Sequence, residues 1–260
     1  CRVHLMKSVR FAACQFPVSG CIKSNRDYIV DIAKDAAGNG CDIVHFPETA
    51  LSGYAGVDFS SLTGFDWSSL SMYTRDIMTW AEKLGIWIIL GSCRQTGRMS
   101  RPRNSLHIIS PSGNILATYD KRKLYGREKV YYSKGRNPLV LTLNGVKCGF
   151  LICYDSCFPR LYESYRKRGV QLLFHSYYNA RNINGANSLD DLILAQLRTR
   201  AADYGMWISA SNSSASHSRL TACVARPDGS IVSCERHSTG FVVLELPDQN
   251  LGWMYHNRSD

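Results

Sequence analysis

Three short stretches place reactive side chains where an apolar strand ends. In Gly149-Phe-Leu-Ile-Cys153-Tyr-Asp155 the strand closes on a thiol, and Pro159 then opens a helix. A strand-to-helix turn can hold a nucleophile under strain with free backbone N–H groups beside it. That environment lowers a thiol's pKa and offers a site for an oxyanion. The same pattern also suits an inert core cysteine. In Phe46-Pro47-Glu48 a carboxylate directly follows another apolar run, which is costly unless the group is paired, used or solvated. In Tyr119-Asp120-Lys121-Arg122-Lys123-Leu124, continuing to Glu128, a charged stretch forms either a solvated loop or a cation for developing negative charge.

The elements that position these stretches alternate between strand and helix. Strands are expected at Val9–Gln15, Asp42–Phe46 and Ile86–Leu90, with helices at Asn25–Ala37 and Ser69–Leu84. Turn chemistry at Ser110-Pro-Ser-Gly-Asn114 joins strands Ser105–Ile109 and Ile115–Tyr119, and Asn144-Gly145 joins Leu139–Leu143 to Val146–Ile152. A helix at Arg160–Arg168, a strand at Gln171–Phe174, a helix at Leu189–Tyr204 and a strand at Met206–Ser211 follow. The end is β-rich, with Thr221–Ala225, the turn Pro227-Asp-Gly229, Ile231–Cys234 and Phe241–Leu246. No linker or repeat divides the chain, so one α/β domain with mixed sheets is expected over residues 1–260. Residues 247–260 form a tail that Trp253, Met254 and Tyr255 suit to an oligomer interface.

Taken in order, the three stretches resemble the carbon–nitrogen hydrolase (nitrilase) superfamily. Ile152-Cys153-Tyr154-Asp155-Ser156-Cys157-Phe158-Pro159 is similar to its nucleophile segment, and Phe46-Pro47-Glu48 with Gly53-Tyr54 to its glutamate segment. Tyr119-Asp120-Lys121-Arg122-Lys123-Leu124 with Glu128 and Gly135 is similar to its lysine segment. Arg200–Tyr204 and Pro227-Asp228-Gly229 fit later positions, so the likeness runs from about Val9 to Leu246.

The resemblance implies an α-β-β-α sandwich of two mixed sheets flanked by helices, dimerised across its outer helices. It implies a catalytic triad of Glu48 as base, Lys121 as oxyanion partner with the Tyr154 N–H, and Cys153 as nucleophile. Glu128 would position the substrate, with no metal or organic cofactor. Tyr-Asp after the cysteine resembles amidase and N-carbamoyl hydrolase branches, whereas nitrilases more often show Trp-Glu. An amide or ureido C–N bond is therefore expected over a nitrile. Tyr54, Tyr154, His175, Tyr177 and Tyr178 are candidate pocket residues, with a structural histidine the competing reading for His175. Lys123 competes with Lys121, and Cys157 reads as a packing residue.

Composition sets the outer bounds. Of 260 residues 45% are hydrophobic and 20% charged, which excludes disorder. No apolar run reaches the ~18 residues of a membrane span. The opening residues lack the apolar stretch of a signal peptide, and ten scattered cysteines show no metal-ligand spacing and no disulfide pattern. A cytoplasmic protein with free thiols is expected. Nine of the ten net positive charges fall between Arg94 and Arg136, where 11 basic residues face only Asp120 and Glu128. Arg94, Arg98, Arg101 and Arg103 then read as an entrance that steers a small anionic substrate, or as a solvated loop. Three rival classes remain: a nucleic-acid binder, a non-catalytic binding subunit, and a Cys-His enzyme, which leaves the Glu and Lys stretches unexplained.

Overall fold

A computed structural model describes residues 8–97, 100–179, 188–247 and 251–252. Its twelve strands divide into two sheets of six. The first sheet runs β12 (Gly240–Leu246), β1 (Val9–Phe16), β2 (Ile43–His45), β3 (Trp87–Arg94), β4 (Arg103–Ile109), β5 (Ile115–Asp120). The second runs β6 (Val140–Leu143), β7 (Val146–Ile152), β8 (Leu172–Ser176), β9 (Trp207–Ser213), β10 (Cys223–Ala225), β11 (Ile231–Ser233). Hydrogen bonding is continuous between them only at one corner, where Gln15 and Phe16 of β1 pair with Asn212 and Ser213 of β9.

Alternation along β1 shows why four layers form. Val9, Phe11 and Ala13 face the other sheet, in one core with Phe150, Leu172, Phe174 and Ile208. Ala12, Cys14 and Phe16 face outward, in a second core with Ile29, Ala33 and Ile77 of the covering helices. Phe11 meets Phe174 edge-on at 6.2 Å across the sheet interface. Each fully buried side chain of this size contributes about 1.5–3 kcal/mol. Helices α1 (Ile22–Gly38) and α2 (Trp67–Leu84) cover the first sheet. Helices α4 (Pro159–Arg166) and α5 (Ser188–Tyr204) place Tyr162, Tyr165, Leu197 and Ala201 in the core containing the second.

Helix ends account for small differences from expectation. α1 begins at Ile22, three residues before the expected Asn25. α2 begins at Trp67 because the Asp66 side chain accepts from Ser69 N at 2.9 Å, and it stops at Gly85 in the left-handed region (φ 66°). A single-turn helix, α3 (Glu128–Tyr131), starts at the last residue of the charged stretch that begins at Tyr119.

Strand direction gathers the candidate residues. β1, β2 and β3 are parallel; β4 reverses and β5 reverses again, so β5 ends on the same side as β2. β7, β8 and β9 are parallel, and β9 is parallel to β1. The C-terminal ends of β2, β5, β7 and β8 therefore open together, and α/β sheets bind ligands at such ends. Leu251 is buried and Gly252 N donates to Asp228 Oδ2 at 2.7 Å; Trp253, Met254 and Tyr255 lie outside the described residues.

Candidate active site

Glu48 follows β2 and is fully buried. Its backbone is fixed from several sides. Glu48 N donates to Tyr177 O at 3.1 Å, and Gly91 on β3 leaves room for the chain, since a Cβ there would meet Pro47 O at 1.9 Å. Thr49 takes a left-handed backbone (φ 51°). The preceding carbonyl, Phe46 O, accepts from Ser176 Oγ at 2.9 Å and Ser211 Oγ at 2.7 Å. Those hydroxyls have one proton each, so toward His45 Nε2 (2.8 and 3.0 Å) they act as acceptors. The His45 proton is therefore on Nε2, and Nδ1 accepts from Ser209 Oγ at 2.9 Å. Burial holds this ring neutral, well below the usual histidine range. A closed polar network thus ties the end of β2 to β8 and β9.

Lys121 leaves β5 where the chain bends: Lys121 N donates to Asn104 O, and Gly135 N to Lys121 O. Its Nζ lies 2.7 Å from Glu48 Oε1 and 2.6 Å from Glu128 Oε1, all three side chains being buried. Asn104 Nδ2 donates to Glu48 Oε1 at 2.7 Å, Tyr54 OH to Glu128 Oε1 at 2.7 Å and Tyr125 N to Glu128 Oε2 at 2.6 Å. Glu48 Oε2 is buried with no hydrogen-bond partner among the described residues. Burial, with Glu128 adding to it, pushes the Glu48 carboxyl up against the pull of Lys121. Burial alone would draw Lys121 down, but the two carboxylates outweigh it and hold the ammonium above the usual lysine range. Lys123 points elsewhere, with Nζ 4.5 Å from the Phe158 ring centre.

Cys153 ends β7 in a left-handed conformation (φ 40°), a strain of about 1–3 kcal/mol for a non-glycine residue. It opens a 3-10 turn, Cys153–Cys157, before Pro159 starts α4. The turn is clasped by Asp155. Its carboxylate accepts from Ile152 N at 3.0 Å, Tyr119 OH at 2.7 Å and Lys123 N at 2.9 Å. Asp155 thus joins the residue before Cys153 to the residues two before and two after Lys121. His175 Nε2 donates to Cys153 O at 3.2 Å, and its Nδ1 receives the Tyr162 and Tyr177 hydroxyls at 3.0 and 3.1 Å. Burial lowers its pKa to about 3. This ring faces a carbonyl, not the thiol, so it supports the turn and makes no Cys-His pair.

The thiol itself departs from expectation. Its pKa is raised, not lowered: burial, then Glu48 and Glu128, outweigh Lys121 and the Tyr178 N–H beside the sulfur. Lys121 and the Tyr178 N–H favour the thiolate, but two carboxylates brought in from distant parts of the chain oppose them. The resting group is a thiol that needs a base.

A cavity of about 350 Å³ opens above these groups, lined by Tyr54, Lys121, Glu128, Cys153, Tyr154, Tyr177 and Tyr178 among others. Tyr54 and Tyr178 stack at 4.8 Å on one wall. His175 is not a lining residue; it lies behind the turn. Asn104, Asn179 and Arg219 belong to this site and carried no local signature in the sequence.

Residues 10–251 match the family model described as carbon-nitrogen hydrolase. The chain belongs to the carbon–nitrogen hydrolase family. It is 30% identical over 137 residues to a 2-oxoglutaramate amidase of Bacillus subtilis, covering 52% of this chain and 51% of that one. It is 28% identical over 183 residues to the omega-amidase NIT2 of Danio rerio, covering 65% and 63%. It is 27% identical over 243 residues to the human omega-amidase NIT2, covering 90% and 81%. The match thus spans about half to two thirds of the first two relatives. An amidase from Nesterenkonia sp. superposes with a TM-score of 0.79 at 23% identity, over 96% of this chain and 93% of that chain, which shows the shared α/β fold.

The basic segment of this carbon–nitrogen hydrolase is not an open rim. Arg94 places one nitrogen 2.9 Å from both Asp120 oxygens, and Arg103 reaches Asp120 at 2.6 Å. Arg101 donates to Lys129 O, Arg122 lies over the Tyr119 and Tyr165 rings, and Arg98 is outside the described residues. None of the four described arginines, Arg94, Arg101, Arg103 and Arg122, lines the cavity. The arginines that do are Arg127 and Arg219, the second far outside the basic window, and neither guanidinium has an ion-pair partner among the described residues.

Proposed function

We propose that this chain hydrolyses a small primary amide carrying a carboxylate, through a thioester on Cys153. Glu48 takes the thiol proton, and the sulfur attacks the amide carbon. Lys121 and the turn's backbone stabilise the oxyanion. The proton held by Glu48 passes to the leaving nitrogen, ammonia departs, and Glu48 then takes a proton from the water that cleaves the thioester. Glu128 holds Lys121 and faces the substrate. One observation carries this reading: a buried Glu48–Lys121–Glu128 cluster presents Lys121 and Glu128 to the cavity that Cys153 lines, and Glu48 is close enough to shift the thiol electrostatically.

Arg127 and Arg219 support an acidic substrate, because both residues line the cavity and neither has a carboxylate partner among the described residues. The Bacillus relative is named for 2-oxoglutaramate, an amide that carries a carboxylate. Free cysteines throughout the described residues suit a cytoplasmic setting, and no described helix is long and apolar enough to cross a membrane. Self-association across the outer helices belongs to the same proposal, and sedimentation tests it.

The deciding experiment is ammonia release over acidic amides, neutral amides, N-carbamoyl amino acids and nitriles. Wild type is compared with Cys153→Ala and Arg219→Gln. Release from acidic amides is expected, absent in Cys153→Ala. Arg219→Gln should raise KM for acidic amides by about tenfold or more and leave neutral ones nearly unchanged. Release that persists in Cys153→Ala would overturn the mechanism, and equal KM shifts for both amide classes would overturn the substrate class.

A further inference from the structure

Asn179 follows β8 and its amide faces the sulfur. The Cys153 thiol donates to Asn179 Oδ1 at 3.6 Å. The other end of the amide, Nδ2, is buried and has no hydrogen-bond partner among the described residues. Leaving a buried donor unpaired is unfavourable, and such a group in a native site calls for a reason. The backbone of Asn179 is held on both sides: its N donates to Asn212 Oδ1 at 3.1 Å, and its O accepts from Arg219 N at 2.9 Å. The side chain is thus presented to the cavity from a fixed main chain.

A thiol and a thiolate ask opposite things of this neighbour. The thiol has a proton to give and finds Oδ1. Once the proton is gone, the sulfur only accepts, and Oδ1 would face it lone pair to lone pair. An amide has nearly the same shape after a half-turn about its last torsion, and Nδ2 holds no bond that the turn would break. We infer that Asn179 is a catalytic residue of the proposed hydrolysis: its Oδ1 holds the Cys153 thiol at rest, and its Nδ2 donates to the sulfur after Glu48 has taken the proton. After the turn Oδ1 faces the cavity, where it can accept an N–H from the amide or the departing ammonia. The inference rests on Cys153 being the nucleophile of the proposed reaction.

The test uses Asn179→Asp and Asn179→Ala in the full chain. Both leave the main-chain bonds of residue 179 in place, and thermal midpoints check that both variants fold. The readout is the rate of Cys153 alkylation by iodoacetamide from pH 6 to 10, followed by mass spectrometry of the Cys153 peptide. Alanine removes both halves of the amide and is expected to slow alkylation at neutral pH about tenfold. Aspartate keeps the acceptor, cannot donate and adds a negative charge, so a larger loss, roughly a hundredfold, is expected with the pH profile displaced upward. A packing role predicts the reverse order, since Asp is the closer isostere. A wild-type rate in Asn179→Asp, or a slower rate in Asn179→Ala than in Asn179→Asp, would overturn the inference. Alkylation needs no substrate. A chain that shows the expected order yet releases no ammonia loses the amidase reading alone. One that releases ammonia normally as Asn179→Asp loses only the role of Asn179.

Discussion

Replacing Lys121 by Met removes the one cation between two buried carboxylates. Its Nζ sits 2.7 Å from one Glu48 oxygen and 2.6 Å from one Glu128 oxygen. At a tetrahedral angle those oxygens are about 4.3 Å apart, and two like charges at that distance repel by about 4 kcal/mol at an effective dielectric of ~20. In the folded variant one carboxyl of the pair therefore keeps its proton to a pH well above the ordinary carboxylate range. The unfolded chain releases that proton near a pH of about 4.3. Between those values the folded state binds the extra proton, and stability falls as pH rises, by up to about 1.4 kcal/mol per pH unit. Wild type has a slope of the same sign, since burial and Glu128 already raise Glu48, but Lys121 opposes it and narrows the window. Urea denaturation of Lys121→Met and wild type at pH 5, 6, 7 and 8 should therefore diverge, with a deficit reaching about 3–5 kcal/mol at the alkaline end. Turnover should be absent throughout, because the base is protonated and the oxyanion partner is gone. Stability curves that stay parallel from pH 5 to 8 would refute the charge assignment.

Three further outcomes follow from the same contacts. Glu48→Gln should lose at least about a hundredfold in turnover while its thermal midpoint does not fall below wild type, because the neutral amide keeps an acceptor for Asn104 and Lys121 without a disfavoured charge; calorimetry and ammonia release read both. Asp155→Ala should lower stability by about 3 kcal/mol or more in urea, since it leaves Ile152 N, Lys123 N and Tyr119 OH buried without their acceptor. Gly91→Ala should abolish turnover with the chain still folded by circular dichroism, because a Cβ at that position displaces Pro47 O and with it Glu48.

The strands, most helices and the three reactive segments were legible because each is written locally. Apolar runs ended by Pro17 or Pro47 mark where strands stop, Pro159 marks where a helix starts, and the reactive residues lie at or near strand ends. What was not legible depends on residues distant in sequence. Asn104 meets Glu48 from 56 positions away, and nothing in Arg103-Asn104-Ser105 sets it apart from any polar strand start. His45 reads as one polar residue in an apolar run, and only the approach of β8 and β9 turns it into a link between sheets. The basic window misled for a related reason. A sum of charges takes no account of geometry, and Asp120 alone binds two of its arginines.

The direction of the thiol's shift ties these observations into one charge balance. With both carboxylates ionised, Glu48, Lys121 and Glu128 together hold one net negative charge in a buried space. A thiolate at rest would add a second, which burial and the two glutamates oppose. Burial, with Glu128 adding to it, raises Glu48 as well, which favours its taking a proton from the thiol. Moving the proton from Cys153 to Glu48 leaves the net charge of the buried group unchanged. It carries negative charge toward the cavity, where an amide carbon would receive it. The strained turn, the clasp by Asp155 and the network through His45 fix the two ends of that transfer. The sulfur then need not be charged before substrate arrives.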